Sequence, residues 1–343
     1  MQRNRGLVID ALLKSEEPSI RWKVRTRVLG EDPHSRKVRD LQEEIRNSPR
    51  AKALLAGRNQ KFVQEKHVYA KWRGAHWTLV ALAEIGYPAT DESLLPMRDQ
   101  VLEVWLSSAF YLEFESKSSV PESRSAEGVP KIQGRYRRCG SQQGNALFAI
   151  TRLGLADNRS DGLVERLMHW QWQDGGWNCD RRPSARISSF NESMLPMLGL
   201  AVHAQRAGDG AAREAALKAS EFFLCRRLFK RRTDGTVINP HWLRPKYPRY
   251  WHYDILGGLV AMAEMGLIKD PRCADALDLI ERKELPVGGW AAEGRFYKVS
   301  SSMDIKTRFG SISPVDWGGI GSRRMNEWIT ADALTVLAAA GRL

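Results

Sequence analysis

The chain has 343 residues, long for one average domain and short for three. Apolar residues make up 43% and charged residues 27%, a globular balance that excludes a disordered chain or a long coiled coil. Fifty-three Lys and Arg against 40 Asp and Glu leave a net charge of +13, which suits an anionic partner such as a diphosphate, a phospholipid surface, a polyuronate or a nucleic acid.

The opening MQRNRGLVIDALLKS holds Asp10 inside its only apolar run, and no small-residue cleavage site follows it. A cytoplasmic protein is expected, with peripheral contact to an anionic membrane open to its basic surface. The longest apolar run, Ile255 to Leu267, falls short of the roughly 18 residues of a membrane span and contains Glu264. Cys139, Cys179, Cys225 and Cys273 are widely spaced, so reduced thiols or metal ligands are expected in preference to a disulfide framework.

In chain order, a helix is predicted near Gly6 to Lys14, followed by six mostly apolar helical segments that end at glycine. They are SIRWKVRTRVLG, GAHWTLVALAEIG, SQQGNALFAITRLG, SSFNESMLPMLGLAVHAQRAG, WHYDILGGLVAMAEMG and NEWITADALTVLAAAG, closing at Gly30, Gly86, Gly154, Gly208, Gly266 and Gly341. Helices of a different kind lie between them. In Pro271 to Lys283 the residues Cys273, Leu277 and Ile280 share one face while Asp275, Asp278 and Arg282 point elsewhere. Ile255 to Met265, by contrast, is apolar or small on nearly every face, as for a helix covered on both sides.

Ser160-Asp161 and Asp270-Pro271 read as helix starts. Two long loops, Glu115 to Arg138 and Val287 to Met325, are functional candidates by their length. No Pro-rich or Gly/Ser-rich linker divides the chain, so a single domain over 1–343 is expected, with 1–68 as amino-terminal helices of that domain. Alternation of inner and outer helices six times over predicts an all-α fold, an (α/α)6 toroid, with the first helix completing the outer ring.

The sharpest local signal is Gln171-Trp172-Gln173-Asp174-Gly175-Gly176-Trp177, at the turn from an outer helix to the next inner one. Weaker echoes are Thr233-Asp234-Gly235-Thr236 and Glu284-Leu285-Pro286-Val287-Gly288-Gly289-Trp290. The glycines allow the turn, and the glutamine and tryptophan can tie one repeat to the next.

With this motif the sequence resembles the squalene cyclase and protein prenyltransferase superfamily over Tyr69 to Leu343. Stretches such as KWRGAHWTLVALAEIGYP and DGGWNCDRRPSARISSFNESMLPM look like a bacterial squalene-cyclase-like subgroup. The resemblance implies an isoprenoid or other apolar ligand in a central cavity, handled by a terpene cyclase-like lyase or isomerase or by a prenyltransferase-like transferase. Two departures leave the reaction open. The Asp-x-Asp-Asp acid of class II cyclases is absent, and no cysteine has the Asp two residues earlier that prenyltransferases use to hold zinc.

In such a ring, polar residues at the starts of the inner helices converge. Asp180, Glu192 and Asp254 are the general acid or base candidates, since a carboxylic acid beside an apolar cavity keeps its proton nearer neutrality. Against this, Ser189 and Glu192 have capping-box spacing, and Asp254 lies where the helix dipole favours an acid. His76, Gln142, Asn145, Asn191, Tyr253, Arg138 and Arg181 are the substrate-binding candidates, the arginines for a diphosphate or carboxylate. Cys139, Cys179 and His252, completed by Asp180 or Glu192, would take Zn2+. The alternative for each of these three is a satisfied structural side chain. Trp72, Trp77, Phe148, Phe190, Trp251, Tyr253 and Trp328 are core or, for two or three of them, cavity wall.

Two other classes compete. A polysaccharide lyase or glycosidase would also fit an α/α ring and would show an open polar groove. A helical-repeat nucleic-acid-binding module would exploit the +13 charge, but the basic residues are dispersed and nucleic acid is the least favoured partner.

Overall fold

The computed structural model describes residues 5–56, 67–116, 128–299 and 311–343, so both long predicted loops lie partly outside the described residues. The fold is mostly helical. Two compact units are distinguished, one made of residues 1–88 and 224–343 and the other of residues 89–223.

The first unit opens with α1 (Arg5–Leu13), α2 (Pro18–Lys23) running into a π-helical turn at Val24–Val28, α3 (Arg36–Asn47), α4 (Pro49–Leu55) and α5 (Ala75–Ile85). The second unit holds α6 (Leu95–Trp105), α7 (Ser108–Tyr111), the strands β1 (Glu113–Glu115), β2 (Val129–Ile132) and β3 (Arg135–Tyr136), then α8 (Gly140–Arg152), α9 (Asn158–Trp170), α10 (Phe190–Ala207) and α11 (Gly210–Leu224). The chain returns to the first unit for α12 (Ile255–Glu264), α13 (Ala274–Arg282), the strands β4 (Lys298–Val299) and β5 (Ile312–Ser313), and α14 (Glu327–Ala340).

All six terminal glycines adopt the left-handed conformation, with φ between 66° and 77°, which lets the chain leave each helix without a Cβ clash. The two classes of helix also differ as their patterns require. In α14 every residue from Trp328 to Leu337 is buried, whereas α13 buries only Ala276, Leu277 and Ile280.

Three local expectations are corrected. Helix α9 starts earlier than Ser160-Asp161, because Asp157 caps it and Ser160 Oγ accepts a hydrogen bond from the Asp157 N–H. Ser189 stands at the start of α10 without a side-chain capping bond, so no capping box forms with Glu192. A small mixed sheet is present, β1 parallel and β3 antiparallel to β2; strands of two to four residues carry no readable alternation.

In the second unit α8 lies directly against α10, and absent side chains permit it. A Cβ on Gly144 would stand 2.3 Å from the Pro196 nitrogen, and one on Gly199 would stand 2.4 Å from the Gly144 carbonyl oxygen.

The tryptophan turn is built twice from the same hydrogen bonds. The Trp177 indole N–H donates to the Leu167 carbonyl at 2.9 Å, and the Trp290 indole N–H donates to the Ile280 carbonyl at 2.7 Å. The Trp177 backbone N–H donates to Ser193 Oγ, and the Trp290 backbone N–H to Thr330 Oγ1, each at 2.9 Å. The preceding turns close alike, Trp172 N–H on the Gly176 carbonyl and Leu285 N–H on that of Gly289, around Gly175 and Gly288 at φ 96° and 93°. The middle echo, lacking tryptophan, is a tight turn closed by Asp234 on Thr236 and a Lys230–Val237 bridge.

The residue heading each tryptophan turn reaches a further helix. Gln171 Nε2 donates to the carbonyls of Gly175 and of Ala215 in α11, both at 2.8 Å. Glu284, at the matching place, accepts from Arg5 of α1 through Nε and Nη2 at 3.1 and 3.0 Å.

Candidate functional site

The first tryptophan turn positions a cluster of thiols. Trp177 packs beside Gly140, at the start of α8, so the N-cap residue Cys139 stands just ahead of this contact and Cys179 two residues past the indole. Ser193, which accepts the Trp177 N–H, places its neighbour Glu192 on the first turn of α10. As a result Cys139 Sγ, Cys179 Sγ and a Glu192 carboxylate oxygen all lie within 4.8 Å of one another.

Glu192 is buried, and its Oε2 accepts from the Ser141 N–H at 3.1 Å and from Ser141 Oγ at 2.7 Å. Its Oε1 accepts from the Cys179 thiol at 3.5 Å. Burial pushes the Glu192 carboxyl above its ordinary range, although the Ser141 bonds pull the other way. The hydrogen bond to Cys139, with burial and the Glu192 charge, raises the Cys179 thiol strongly. Both cysteines are half-buried.

Arg138 completes the cluster. It is 8% exposed, and its guanidinium lies 4.8 Å from the Phe110 ring. Its acceptors are uncharged: Nη2 donates to Gln142 Oε1 at 3.1 Å, and the Gln143 amide, turned to suit its neighbours, accepts from Nε and Nη2 while donating to the Cys139 carbonyl. Burial lowers its pKa. Two thiols, a carboxylate and a guanidinium thus share one largely desolvated spot. Two sulfurs with one carboxylate oxygen form the donor set that zinc-class cations prefer.

Other candidates are placed differently. Asp180 is hydrogen-bonded to Arg182, which holds its carboxyl below the ordinary range, the opposite of what an acid donor needs. Asp254 is raised by burial, but it is the N-cap of α12, accepting from the Gly257 and Lys246 N–H groups at 2.7 and 3.0 Å. Asn145 is buried with its amide nitrogen unpartnered, one turn along α8 from Ser141. Arg181 and Asn191 are half-buried. Tyr253 is buried and donates its hydroxyl to the Leu228 carbonyl at 2.6 Å. Ser141 and Gln143, partners of the thiol cluster, are absent from the sequence-derived set. The only sequence signal for them was their place one turn into an inner segment.

His76 and His252 belong to the first unit. His76 is 1% exposed against Tyr69 and Trp77, and burial lowers its pKa to about 3. The His252 ring is stacked on Trp251 and Phe296 at 3.9 and 3.5 Å, and its Nδ1 lies 3.1 Å from the Arg249 carbonyl. That bond requires the proton on Nδ1, leaving Nε2 with a lone pair. Burial lowers the His252 pKa to about 4. Trp251, His252 and Phe296 are half-buried and, with Lys71 over Trp251, form a partly open aromatic bank. Of the seven aromatic candidates, Trp251 alone is not buried.

A groove of about 670 Å3 also lies in the first unit, lined in part by Ser15, Glu16, Glu17, Arg50, Asp316 and Glu327. Arg50 spans it, donating to Glu17 Oε2 and to the Asp316 carbonyl, both at 2.6 Å, above the rings of Trp317 and Trp328.

A scan against protein-family models finds no match, and a search of curated proteins finds no match either. Among the described residues no helix is long and apolar enough to cross a membrane.

Proposed function

We propose that the chain is an (α/α)6 toroid of the terpenoid cyclase and prenyltransferase type that binds an isoprenoid or similarly apolar ligand. The observation that carries this reading is the tryptophan turn built twice with matching hydrogen bonds, since that turn is the feature on which the resemblance rests. Its head residues support ring closure. Gln171 ties its repeat to the next outer helix, and Glu284 ties the last repeat to α1, the first helix of the chain. The aromatic bank at Trp251, His252 and Phe296 supports an apolar or transiently cationic guest, because ring faces attract both.

A second reading, a saccharide-binding or saccharide-cleaving ring, is favoured by the open groove with Glu16, Glu17, Asp316 and Glu327 along its walls. Tryptophan fluorescence of the full chain, titrated with farnesol, a longer polyprenol and neutral or acidic oligosaccharides, separates the two. Saturable quenching by the prenyl alcohols, lost in Trp251→Ala, is the expected result. Saturation by an oligosaccharide alone, lost in Arg50→Ala, would establish the second reading in its place.

A further inference from the structure

We propose that Cys139, Cys179 and Glu192 form a binding site for a thiophilic divalent cation of the zinc class, with its fourth position open to solvent or to a ligand atom. Cys139 and Cys179 supply sulfur from the N-cap of α8 and from the loop that follows Trp177, and Glu192 supplies oxygen from the first turn of α10. Three separate segments converge, and each is held by something other than the cluster itself. The Trp177–Ser193 and Trp177–Gly140 contacts fix them as one piece.

The distances require only a small contraction. Tetrahedral zinc at 2.3 Å from sulfur sets its donor atoms roughly 3.8 Å apart. The Cys179–Glu192 pair stands at 3.5 Å, and no pair in the cluster exceeds 4.8 Å. Ser141 holds the other carboxylate oxygen, which fixes the orientation of the ligating one, as partners of metal ligands do.

Charge favours a dication. Two thiolates and a carboxylate carry three negative charges, the Arg138 guanidinium beside them carries one positive charge, and its hydrogen-bond acceptors are neutral amides. A doubly charged ion brings the group to neutrality, the arrangement that burial least opposes. Each ligating thiol gives its proton to solvent as the ion enters. Both cysteines are half-buried rather than sealed in the core, so the site lies near the surface.

This inference goes beyond the isoprenoid reading and is independent of it, because its test detects the ion and no organic ligand. The full chain, purified under reducing conditions and freed of metal with a chelator, is titrated with Co2+ and then with Zn2+. The expected result is one ion per chain, with the sulfur-to-cobalt charge-transfer band and strong visible bands of four-coordinate cobalt, bleached by one equivalent of Zn2+. Cys139→Ser and Cys179→Ser should each lose about half the charge-transfer intensity, Glu192→Gln should shift the visible bands, and Cys225→Ser should reproduce the parent spectrum. Circular dichroism reports folding of each variant. A parent chain with no thiolate–cobalt band, a Cys225→Ser loss equal to that of Cys179→Ser, or a stable Cys139–Cys179 disulfide, seen as a two-hydrogen mass loss that blocks cobalt, would overturn the proposal.

Discussion

Asp332, His76 and His252 show how charged and neutral groups are kept in this protein. Asp332 accepts from Lys23 at 2.9 Å and from Arg249, and all three side chains are largely buried. Burial pushes the Asp332 carboxyl up, but the Lys23 and Arg249 charges overcome it and hold the value below the ordinary range. Asp332→Asn would leave two cations facing a neutral amide, and a loss of about 3–5 kcal/mol in a urea melt is expected. His76 and His252 set the response to acid. Their folded-state pKa values, about 3 and about 4, lie below the 6.5 of the free side chain, so the unfolded chain binds these protons first. Their stabilising contribution is complete above pH 6.5 and is lost as pH falls, each histidine supplying a slope of at most about 1.4 kcal/mol per pH unit. Urea midpoints between pH 7 and 4.5 should therefore fall less steeply in His76→Phe than in the parent.

Element pairs depend on positions where a side chain is excluded. Gly144→Ala sets a Cβ against the backbone of Pro196, so it should separate α8 from α10 and destabilise by about 1–3 kcal/mol or more. Gly208→Ala meets no atom within 4 Å, and its left-handed φ of 70° alone should cost about 1 kcal/mol. A larger thermal shift for Gly208→Ala than for Gly144→Ala would contradict this packing. Trp177→Ala removes both the Leu167 bond and a fully buried indole, and about 3–5 kcal/mol is expected from denaturant titration. Helix ends at glycine, the two helix classes and the tryptophan turns were legible because they are local and periodic, as Gly266 and the α13 face show. The Glu192–Ser141 bond was not, since it spans 51 residues and replaces a capping box whose spacing was correct. The pairing of Cys139 with Cys179 was legible from their places ahead of successive apolar segments, whereas the choice of Glu192 over Asp180 as their neighbour was not. Cys139 and Cys179 are brought together by the packing of Trp177 beside Gly140 and by the Arg137–Asn178 backbone bridge, two contacts made across about 40 residues of chain.

At the scale of the whole molecule, helix α1 is held at the second tryptophan turn by an ion pair, where the first turn uses an amide-to-carbonyl bond. Arg5 bonds Glu284 at the end of α13 and also the Arg342 carbonyl, so α1 is fastened to the last repeat twice. Arg5→Ala should speed hydrogen exchange in α1 and α13 together while leaving α8 and α10 unchanged. Faster exchange confined to α1 would show that the tie does not couple them. The central claim, a helical ring that accommodates an apolar guest, is tested most directly by organic extraction and mass spectrometry of the natively purified chain before and after incubation with mixed prenyl alcohols. An isoprenoid recovered at up to one molecule per chain is the expected result. An extract free of isoprenoid in both samples would contradict it.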